Sequence, residues 1–327
     1  MAIVISAMPK WRFDTSQVVL PKDWDIRFIT PSNDEELIMA CKEGEYLLVP
    51  ASNPAINANI LNNITHIKLI QSVGAGFDRI DTHTAAALKI PVANVPGQNA
   101  KSVAEFTVGM MIALQRQIVV ADGEVKAGRY GEVRRTLFQQ GLREIEGSKI
   151  GLVGLGSIGR HAAKILHVLG AAVSYYDSRR QPLADEEQLQ ITFSPLDALL
   201  AQSDIVSLHV PLTDATRGLI GRRELELMSP GSLLINTARG EVINQQALAE
   251  LLESGHIGGA AIDVFAPEPP GPENPLLNLS APARKRLVVT PHIAGVTVLT
   301  MSKMLQAALE NLARAMRGEP PQNVINR

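Results

Sequence analysis

Short apolar runs recur along the chain and alternate with longer segments of helical pattern. Near the N-terminus the runs are AIVIS, DIRFIT, YLLVP, IKLIQSV and PVANV, with stretches such as NDEELIMACKEG and THTAAALK between them. Farther along, IGLV, AAVSYYD, IVSLHV, SLLIN, GAAIDVF and RLVV repeat the alternation. Strands that alternate with helices form βαβ units around a parallel sheet. The pattern therefore predicts an α/β protein, and the length of 327 residues favours two domains.

The segment from Ser102 to about Gly123 departs from this alternation. VAEFTVGMMIALQRQIVVA is apolar on nearly every face of a helix, which indicates burial on several sides. Ser102 and Glu105 have the spacing of a capping box, which predicts that the helix begins there. Such a helix suits an interface between domains or with a second subunit. The following stretch, KAGRYGEVRRTLFQQGLREIEG, is basic and is predicted to be an irregular, solvated arm.

The composition disfavours several kinds of partner. A net charge of -2 and an aromatic content of 4% argue against nucleic acid and against an anionic membrane surface. Cys41 is the only cysteine, so neither an intrachain disulfide nor a cysteine-based zinc cluster is expected. The start, MAIVISAMPK, lacks the features of a signal peptide, and no run approaches the roughly 20 apolar residues of a membrane span. We therefore expect a cytoplasmic protein.

A glycine-rich turn follows the strand IGLV. Gly154, Gly156 and Gly159 form a G-x-G-x-x-G motif between this strand and a helix, and the next strand ends in Asp177. The first glycine permits the tight turn, the second lets backbone approach a pyrophosphate, and the third permits close packing of helix on strand. The helix N-terminus supplies N–H donors to the phosphates. Together these elements predict a dinucleotide-binding domain.

Asp177 also bears on which dinucleotide binds. Its carboxylate is placed to accept hydrogen bonds from the adenosine ribose and would repel the 2′-phosphate of NADP. NAD is therefore the predicted cofactor. NADP remains the less favoured alternative, because Ser178, Arg179 and Arg180 follow directly and an arginine there accommodates a phosphate.

Three polar residues stand at or just past the ends of apolar runs: Arg239, Glu268 and His292. If these runs are successive parallel strands, the three side chains converge at one sheet edge, where open α/β sheets bind ligands. Arg239 can bind a carboxylate bidentately and polarise a neighbouring keto oxygen. His292 is suited to proton transfer, and a carboxylate beside it favours the imidazolium form and orients the ring. A hydride from nicotinamide would complete a carbonyl reduction without a metal ion.

Six segments, in order along almost the whole chain, resemble the D-isomer specific 2-hydroxyacid dehydrogenase family. They are SVGAGFDRID, NVPGQNAKSVAEFT, GLVGLGSIGR, SLLINTARGEVIN, AIDVFAPEP and TPHIAG. The resemblance implies that Arg239 binds the substrate carboxylate and carbonyl, and that Glu268 pairs with His292 as the acid/base. It further implies that Val73 and Gly74 offer backbone amides to the substrate carboxylate. The implied NAD contacts, beyond the glycines, are Thr107, Ser157, Ile158, Asp177, Val210, Thr237, Ala238 and Asp263.

The resemblance also implies a domain arrangement. Residues 102–295 would form a Rossmann NAD-binding domain. Residues 1–101 and 296–327 would form a smaller, discontinuous, flavodoxin-like substrate domain. Both would be doubly wound parallel sheets. The apolar helix near residues 103–120 makes a homodimer our expectation, and the partner of the site is a small 2-keto or 2-hydroxy acid.

Three alternatives remain open. The chain resembles enzymes specific for 3-phosphoglycerate, and NVPGQNAKSVAE favours that class, with Lys101, Arg134 and Arg135 as candidate cations for a substrate phosphate. A reductase specific for glyoxylate or hydroxypyruvate is the second. The third is a dinucleotide-sensing regulator without turnover, because transcriptional corepressors resemble this family and keep the same residues.

Overall fold

The structure is a computed structural model that describes residues 1–51 and 54–326. The chain divides into two compact units. The first consists of Met1–Asn99 and Val296–Arg327, and the second is the continuous segment Ala100–Gly295.

The first unit contains a five-stranded parallel sheet with the strand order β2-β1-β3-β4-β5. This is the order of flavodoxin-like folds. The strands are β1 Ile3–Ser6, β2 Asp25–Phe28, β3 Tyr46–Pro50, β4 Leu69–Val73 and β5 Val92–Ala93. The helices are α1 Trp11–Thr15, α2 Asp34–Cys41, α3 Ala58–Asn63, α4 Thr82–Ala87 and, from the C-terminal segment, α14 Val298–Met316.

The second unit contains a seven-stranded parallel sheet with the order β12-β11-β10-β9-β6-β7-β8. The strands are β6 Lys149–Val153, β7 Ala172–Tyr176, β8 Thr192–Phe193, β9 Ile205–Leu208, β10 Leu233–Asn236, β11 Gly259–Ile262 and β12 Leu287–Val289. The helices are α5 Ala100–Gln115, α6 Ile118–Lys126, α7 Tyr130–Gln140, α8 Ser157–Val168, α9 Leu183–Leu189, α10 Leu196–Gln202, α11 Arg222–Leu227, α12 Gln245–Ser254 and α13 Ala281–Arg284. Its order reverses between β6 and β9, as in a Rossmann sheet. The predicted fold class is confirmed for both units.

Side-chain caps begin several of these helices. Asn33, Asn57, Asp81 and Asn244 each accept a hydrogen bond from the backbone N–H three residues on, at 2.9 to 3.0 Å. Each cap satisfies a donor that the first helical turn leaves unpaired. Each sheet has a hydrophobic cluster on both of its faces. Strands that are buried on both faces are continuous apolar runs, as these are.

The long apolar helix differs from its prediction at both ends. It begins at Ala100, and Ser102 lies inside it, where its hydroxyl donates to the carbonyl of Ala294 at 3.0 Å. It also does not run on to Gly123. Gln117 adopts a left-handed conformation, with φ of 48°, and α6 leaves at an angle of 60° to α5. A capping spacing is therefore not sufficient to fix a helix start when the same hydroxyl has a tertiary partner.

Helices are present in the basic arm, which is predicted to be irregular, and in a proline-rich loop. The basic arm holds α7, whose apolar residues Tyr130, Val133, Leu137 and Phe138 recur at helical spacing although only Val133 is buried. The proline-rich loop before β12 holds α13, with a proline in its first turn. A proline is tolerated there because the first N–H groups of a helix have no intrahelical acceptor.

Among the described residues no single helix is long and apolar enough to cross a membrane. Only α5 and α6 taken together, as a bent pair, meet the length and composition of such a span.

Candidate active site

The dinucleotide motif lies at the switch point of the seven-stranded sheet. Gly154 follows β6, and His209 and Val210 follow β9, the strand beside which the order reverses. Ligands of doubly wound sheets bind at such a crevice, outside the carboxyl ends of the strands. The glycine motif and the strand order, which are independent observations, therefore indicate the same place.

Glycine occupies each position of the motif for a different structural reason. Gly154 has φ of 102°, and a Cβ there would come within 2.8 Å of the His209 backbone. A Cβ on Gly159 would lie 2.3 Å from the carbonyl oxygen of Gly154, so only glycine lets α8 pack this closely. A Cβ on Gly156 would meet no protein atom within 4 Å. Gly156 is the N-cap of α8 without a side-chain cap, and Ser157 and Ile158 follow in the first turn. These features fit a pyrophosphate at the helix N-terminus.

Asp177 lies directly beside this loop. Its Oδ2 accepts a hydrogen bond from the backbone N–H of Leu155 at 2.8 Å. The nearby Arg180 is engaged elsewhere: its guanidinium donates two hydrogen bonds of 2.9 Å to Glu186. Arg180 and then Tyr175 lower the pKa of Glu186 to about 2, so the pair is ionised. Asp177 is thus the acidic group next to the dinucleotide loop, while Arg180 has a committed partner.

The other predicted cofactor residues of this unit lie around the same edge. Val210 approaches Gly154, since a Cβ there would lie 3.0 Å from Val210 Cγ1. Thr237 and Ala238 follow β10 and are largely buried. Thr107 is fully buried on α5, and its hydroxyl lies 3.0 Å from the Thr237 hydroxyl. The threonine pair joins α5 to the loop that carries Arg239.

Arg239, Glu268 and His292 follow three neighbouring strands. They come after β10, β11 and β12, which are adjacent in the sheet. His292 Nδ1 lies 2.9 Å from Glu268 Oε2. Because an ionised carboxylate only accepts, Nδ1 carries the hydrogen of this bond and Nε2 is the remaining ring nitrogen. The two side chains are partly exposed, His292 at 38% and Glu268 at 23%, so the pair is accessible.

The environment of Glu268 favours its ionised form. Burial alone would raise the pKa of this carboxyl group, but the hydrogen bond and charge of His292 oppose that effect. The Phe265 backbone and the positive charge of Arg239 act in the same direction, and the net result is a lowered pKa. The electrostatic influence of Arg239 on Glu268 shows that all three side chains share one local environment.

Asp263 holds the turn that carries His292. His292 has φ of 54°, a left-handed conformation that is uncommon for a non-glycine residue. The Asp263 carboxylate is fully buried and accepts from the Thr290 hydroxyl at 2.6 Å and from the backbone N–H groups of Ile293 and Ala294 at 2.9 Å. The His292 N–H donates to the Asp263 carbonyl at 2.8 Å. The family resemblance implies a cofactor contact for Asp263. The sequence does not predict that Asp263 also holds the turn of His292.

Gly240 permits the close approach between the backbone after Arg239 and the loop that carries Glu268. A Cβ on Gly240 would lie 2.0 Å from the carbonyl carbon of Phe265 and 2.2 Å from its oxygen. Arg239 Nη1 donates to the Ala238 carbonyl at 2.8 Å, and the Asn236 side chain donates to the Arg239 carbonyl at 2.9 Å. These contacts fix the backbone on which Arg239 is mounted.

Val73 and Gly74 belong to the first unit. Gly74 follows β4 with φ of 144°. The carbonyls of Gly74, Ala75 and Gly76 accept hydrogen bonds from Val95 N–H at 2.8 Å, the Asn94 amide at 2.8 Å and the Ser72 hydroxyl at 2.9 Å. Three hydrogen bonds therefore attach this glycine-containing loop to its own unit.

The remaining candidates have simpler environments. His209 is buried, with Nε2 3.0 Å from the Ser207 hydroxyl, and burial lowers its pKa to about 4. Arg134 stacks on Phe138, its guanidinium carbon 4.7 Å from the ring centroid. Lys101 and Arg135 are exposed on α5 and α7. In the part of the chain that the structure describes, no group of three His, Cys, Asp or Glu side chains could hold a metal ion.

Comparison with known proteins agrees with this geometry. The model of the D-isomer specific 2-hydroxyacid dehydrogenase NAD binding domain matches residues 108–294. The chain is 38% identical over 306 residues to a glyoxylate reductase of Thermofilum pendens, covering 94% of this chain and 86% of that protein. It is 34% identical over 305 residues to a D-3-phosphoglycerate dehydrogenase of Archaeoglobus fulgidus, covering 92% of this chain but 55% of that protein. The structure of a pyruvate reductase of Chlamydomonas reinhardtii is similar, with a TM-score of 0.81, 29% identity and coverage of 99% and 98% of the two chains.

Proposed function

Because this chain belongs to the D-isomer specific 2-hydroxyacid dehydrogenase family, and is an oxidoreductase that binds a nicotinamide dinucleotide, we propose that it interconverts a D-2-hydroxy acid and its 2-keto acid with NAD. The observation that carries the proposal is the 2.9 Å contact between His292 Nδ1 and Glu268 Oε2, with Arg239 in the same electrostatic environment. An acid/base pair beside a guanidinium is what reduction of an anionic keto acid requires.

In this proposal each side chain has a separate task. Arg239 binds the substrate carboxylate and draws charge from the adjacent keto oxygen, with Val73 and Gly74 as amide donors to the carboxylate. Nicotinamide supplies the hydride when it is bound. His292 gives its Nε2 proton to the keto oxygen during reduction and takes it back during oxidation. Glu268 stabilises the protonated imidazole and fixes the ring through Nδ1.

The residues around the glycine motif support binding of the dinucleotide. The open approach at Gly156, the N-terminal turn with Ser157 and Ile158, and Asp177 beside the loop suit the pyrophosphate and the adenosine ribose. The proposed contacts along the nicotinamide half are Thr107, Val210, Thr237, Ala238 and Asp263. Preference for NAD over NADP is supported by the charge of Asp177 and by the commitment of Arg180 to Glu186.

The first substrates to test are glyoxylate and hydroxypyruvate. The glyoxylate reductase of Thermofilum pendens is 38% identical to this chain, and the phosphoglycerate dehydrogenase of Archaeoglobus fulgidus is 34% identical. Specificity for 3-phosphoglycerate has less support, because Arg134 stacks on an aromatic ring and Lys101 and Arg135 lie on two different helices.

Oxidation of NADH with a panel of 2-keto acids, repeated with NADPH, tests the proposal. We expect turnover with at least one small 2-keto acid and higher kcat/KM with NADH. Tight NADH binding without turnover of any panel member would instead favour a dinucleotide-sensing regulator. The panel includes the 2-keto acid formed from 3-phosphoglycerate, so it also decides between the two enzyme classes.

Replacing Glu268 with glutamine should move the alkaline limb of the reductive pH profile to lower pH. Glu268 has a lowered pKa, so it is negatively charged over the working range and favours protonated His292. Glutamine removes the negative charge that lies 2.9 Å from the His292 ring and stabilises the acid form of the pair. The pH dependence of kcat/KM for keto acid reduction measures the shift, and an alkaline limb at the same pH in both enzymes contradicts the assignment.

Replacing Asp177 with alanine should lower the ratio of kcat/KM with NADH to that with NADPH by about 10- to 100-fold. The change removes charged acceptors for the ribose hydroxyls and removes repulsion of a 2′-phosphate. Asp177→Asn is the control for loop geometry, because its amide oxygen still accepts from Leu155 N–H. An unchanged ratio in Asp177→Ala would remove Asp177 from the ribose site.

We also propose a homodimer. The predicted interface helix, α5, is largely buried within its own unit, whereas α6 and α7 expose Ile118, Val119, Val125, Tyr130 and Phe138. A subunit contact through these two helices would cover that apolar surface. Sedimentation equilibrium gives the mass that distinguishes one chain from two.

A further inference from the structure

The loop that carries Glu268 is poor in backbone donors. Pro267, Pro269, Pro270 and Pro272 lack an N–H group, so within 267–272 only Glu268 and Gly271 can donate from the backbone. A segment of this kind cannot be fixed by an ordinary network of backbone hydrogen bonds. Its position must come from groups outside it that donate to its carbonyls.

Gln245 holds the residue directly before this segment. Its side-chain Nε2 donates to the Ala266 carbonyl at 2.8 Å, two residues before Glu268. Its Oε1 in turn accepts from the side-chain amide of Asn274 at 3.1 Å, on the far side of the proline-rich segment. One side chain therefore bridges the entry and the exit of the Glu268 loop.

The residues next to the Gln245 side chain are themselves held by hydrogen bonds. Gln245 is the first residue of α12, directly after the N-cap Asn244, whose side chain accepts from Ala247 N–H at 3.0 Å. The same loop is confined on another side by Gly240, where any Cβ would collide with the Phe265 carbonyl. Asn274 is itself buried and fixed, because its Oδ1 accepts from Leu276 N–H at 3.1 Å.

We propose that Gln245 is a positioning residue. It holds Glu268 at hydrogen-bond distance from His292, where Glu268 orients the ring and stabilises its protonated form. This inference rests on the proposed function of the Glu268–His292 pair. Gln245 acts through the Ala266 carbonyl, and the hydrogen bonds of its side chain go to Ala266 and Asn274. Its removal should therefore reproduce part of the effect of losing Glu268.

The test is a double-mutant cycle with Gln245→Met and Glu268→Gln in the full chain. Methionine keeps the length and packing of the side chain but loses both the donor and the acceptor. We expect Gln245→Met alone to lower kcat for keto acid reduction about 3- to 10-fold and to move the alkaline limb in the same direction as Glu268→Gln. In the Glu268→Gln background the same change should alter kcat less than about twofold, because the interaction it supports is already lost.

Gln246→Met is the matched control. Gln246 is the neighbouring residue of α12, is exposed and donates to Glu250 at 2.8 Å, away from the loop. It should leave kcat and the pH profile unchanged. NADH affinity, measured by fluorescence titration, should be the same in all the variants.

The outcomes separate the two hypotheses. A Gln245→Met effect of equal size in both backgrounds, or an unmoved alkaline limb, overturns the positioning role and leaves the proposed function standing. If Glu268→Gln itself leaves the alkaline limb unmoved, the role of Glu268 in the proposed function fails, and the positioning role fails with it.

Discussion

His292→Asn lowers kcat for keto acid reduction by about 10²- to 10⁴-fold while NADH binding persists: this is the largest expected effect. The range is the usual contribution of a positioned general acid. Asparagine is the informative substitution because it tolerates the left-handed backbone that His292 adopts, with φ of 54°, and it has no titratable proton to transfer. The loss should therefore come from chemistry and not from a displaced turn. Initial rates over a range of pH measure it.

The control for His292 is another histidine of the same unit. His167 lies exposed in the last turn of α8, and His167→Asn should retain full activity. A His292→Asn enzyme whose kcat equals that of the unmodified enzyme would remove His292 from the proton-transfer step. Equal NADH affinity in both variants, by fluorescence titration, would exclude a defect in cofactor binding.

The second large effect is expected for Arg239→Lys. Lysine keeps the positive charge but lacks the planar fork that binds a carboxylate through two parallel hydrogen bonds. Losing one hydrogen bond to a charged group costs about 1.5 to 3 kcal/mol, which corresponds to a loss of roughly 10- to 150-fold in kcat/KM. The loss should appear in both KM and kcat, since the guanidinium binds the substrate and polarises its carbonyl.

Arg222→Lys provides the comparison for Arg239. Arg222 lies on α11 and forms surface ion pairs with Glu226 and Glu250, so its replacement should leave kcat/KM unchanged. If Arg239→Lys behaves like Arg222→Lys, the substrate carboxylate is bound elsewhere. The Val73–Gly74 loop of the first unit would then be the next place to examine.

The sequence was most informative where one strand determines one position. Arg239, Glu268 and His292 could be expected at one sheet edge because each follows an apolar run and parallel strands end on the same side. The parallel α/β class of both units likewise follows from the regular alternation of strands and helices, whereas the flavodoxin-like arrangement is implied by the family resemblance. In these cases local pattern and global fold agree, and a single sequence is sufficient.

The sequence was least informative where a side chain has a distant partner. Ser102 has the spacing of a cap but donates to Ala294, which lies far along the chain. Asp263 directly follows β11, and its buried carboxylate organises the turn around His292. In the sequence Gln245 is an ordinary residue of a helix, and its hydrogen bonds to the Glu268 loop are seen only in the structure. Such roles depend on tertiary contacts that neither periodicity nor motif spacing encodes.

The strand order of the second unit also sets a distance. From β7, which ends beside Asp177, to β12, which precedes His292, the sheet runs through β6, β9, β10 and β11. At about 4.8 Å between neighbouring strands this separation is about 24 Å. Sites so far apart, without shared partners, usually contribute additively to free energies. Cofactor choice and proton transfer are therefore separately adjustable: an enzyme redesigned at Asp177 to accept a different dinucleotide should keep its pH profile.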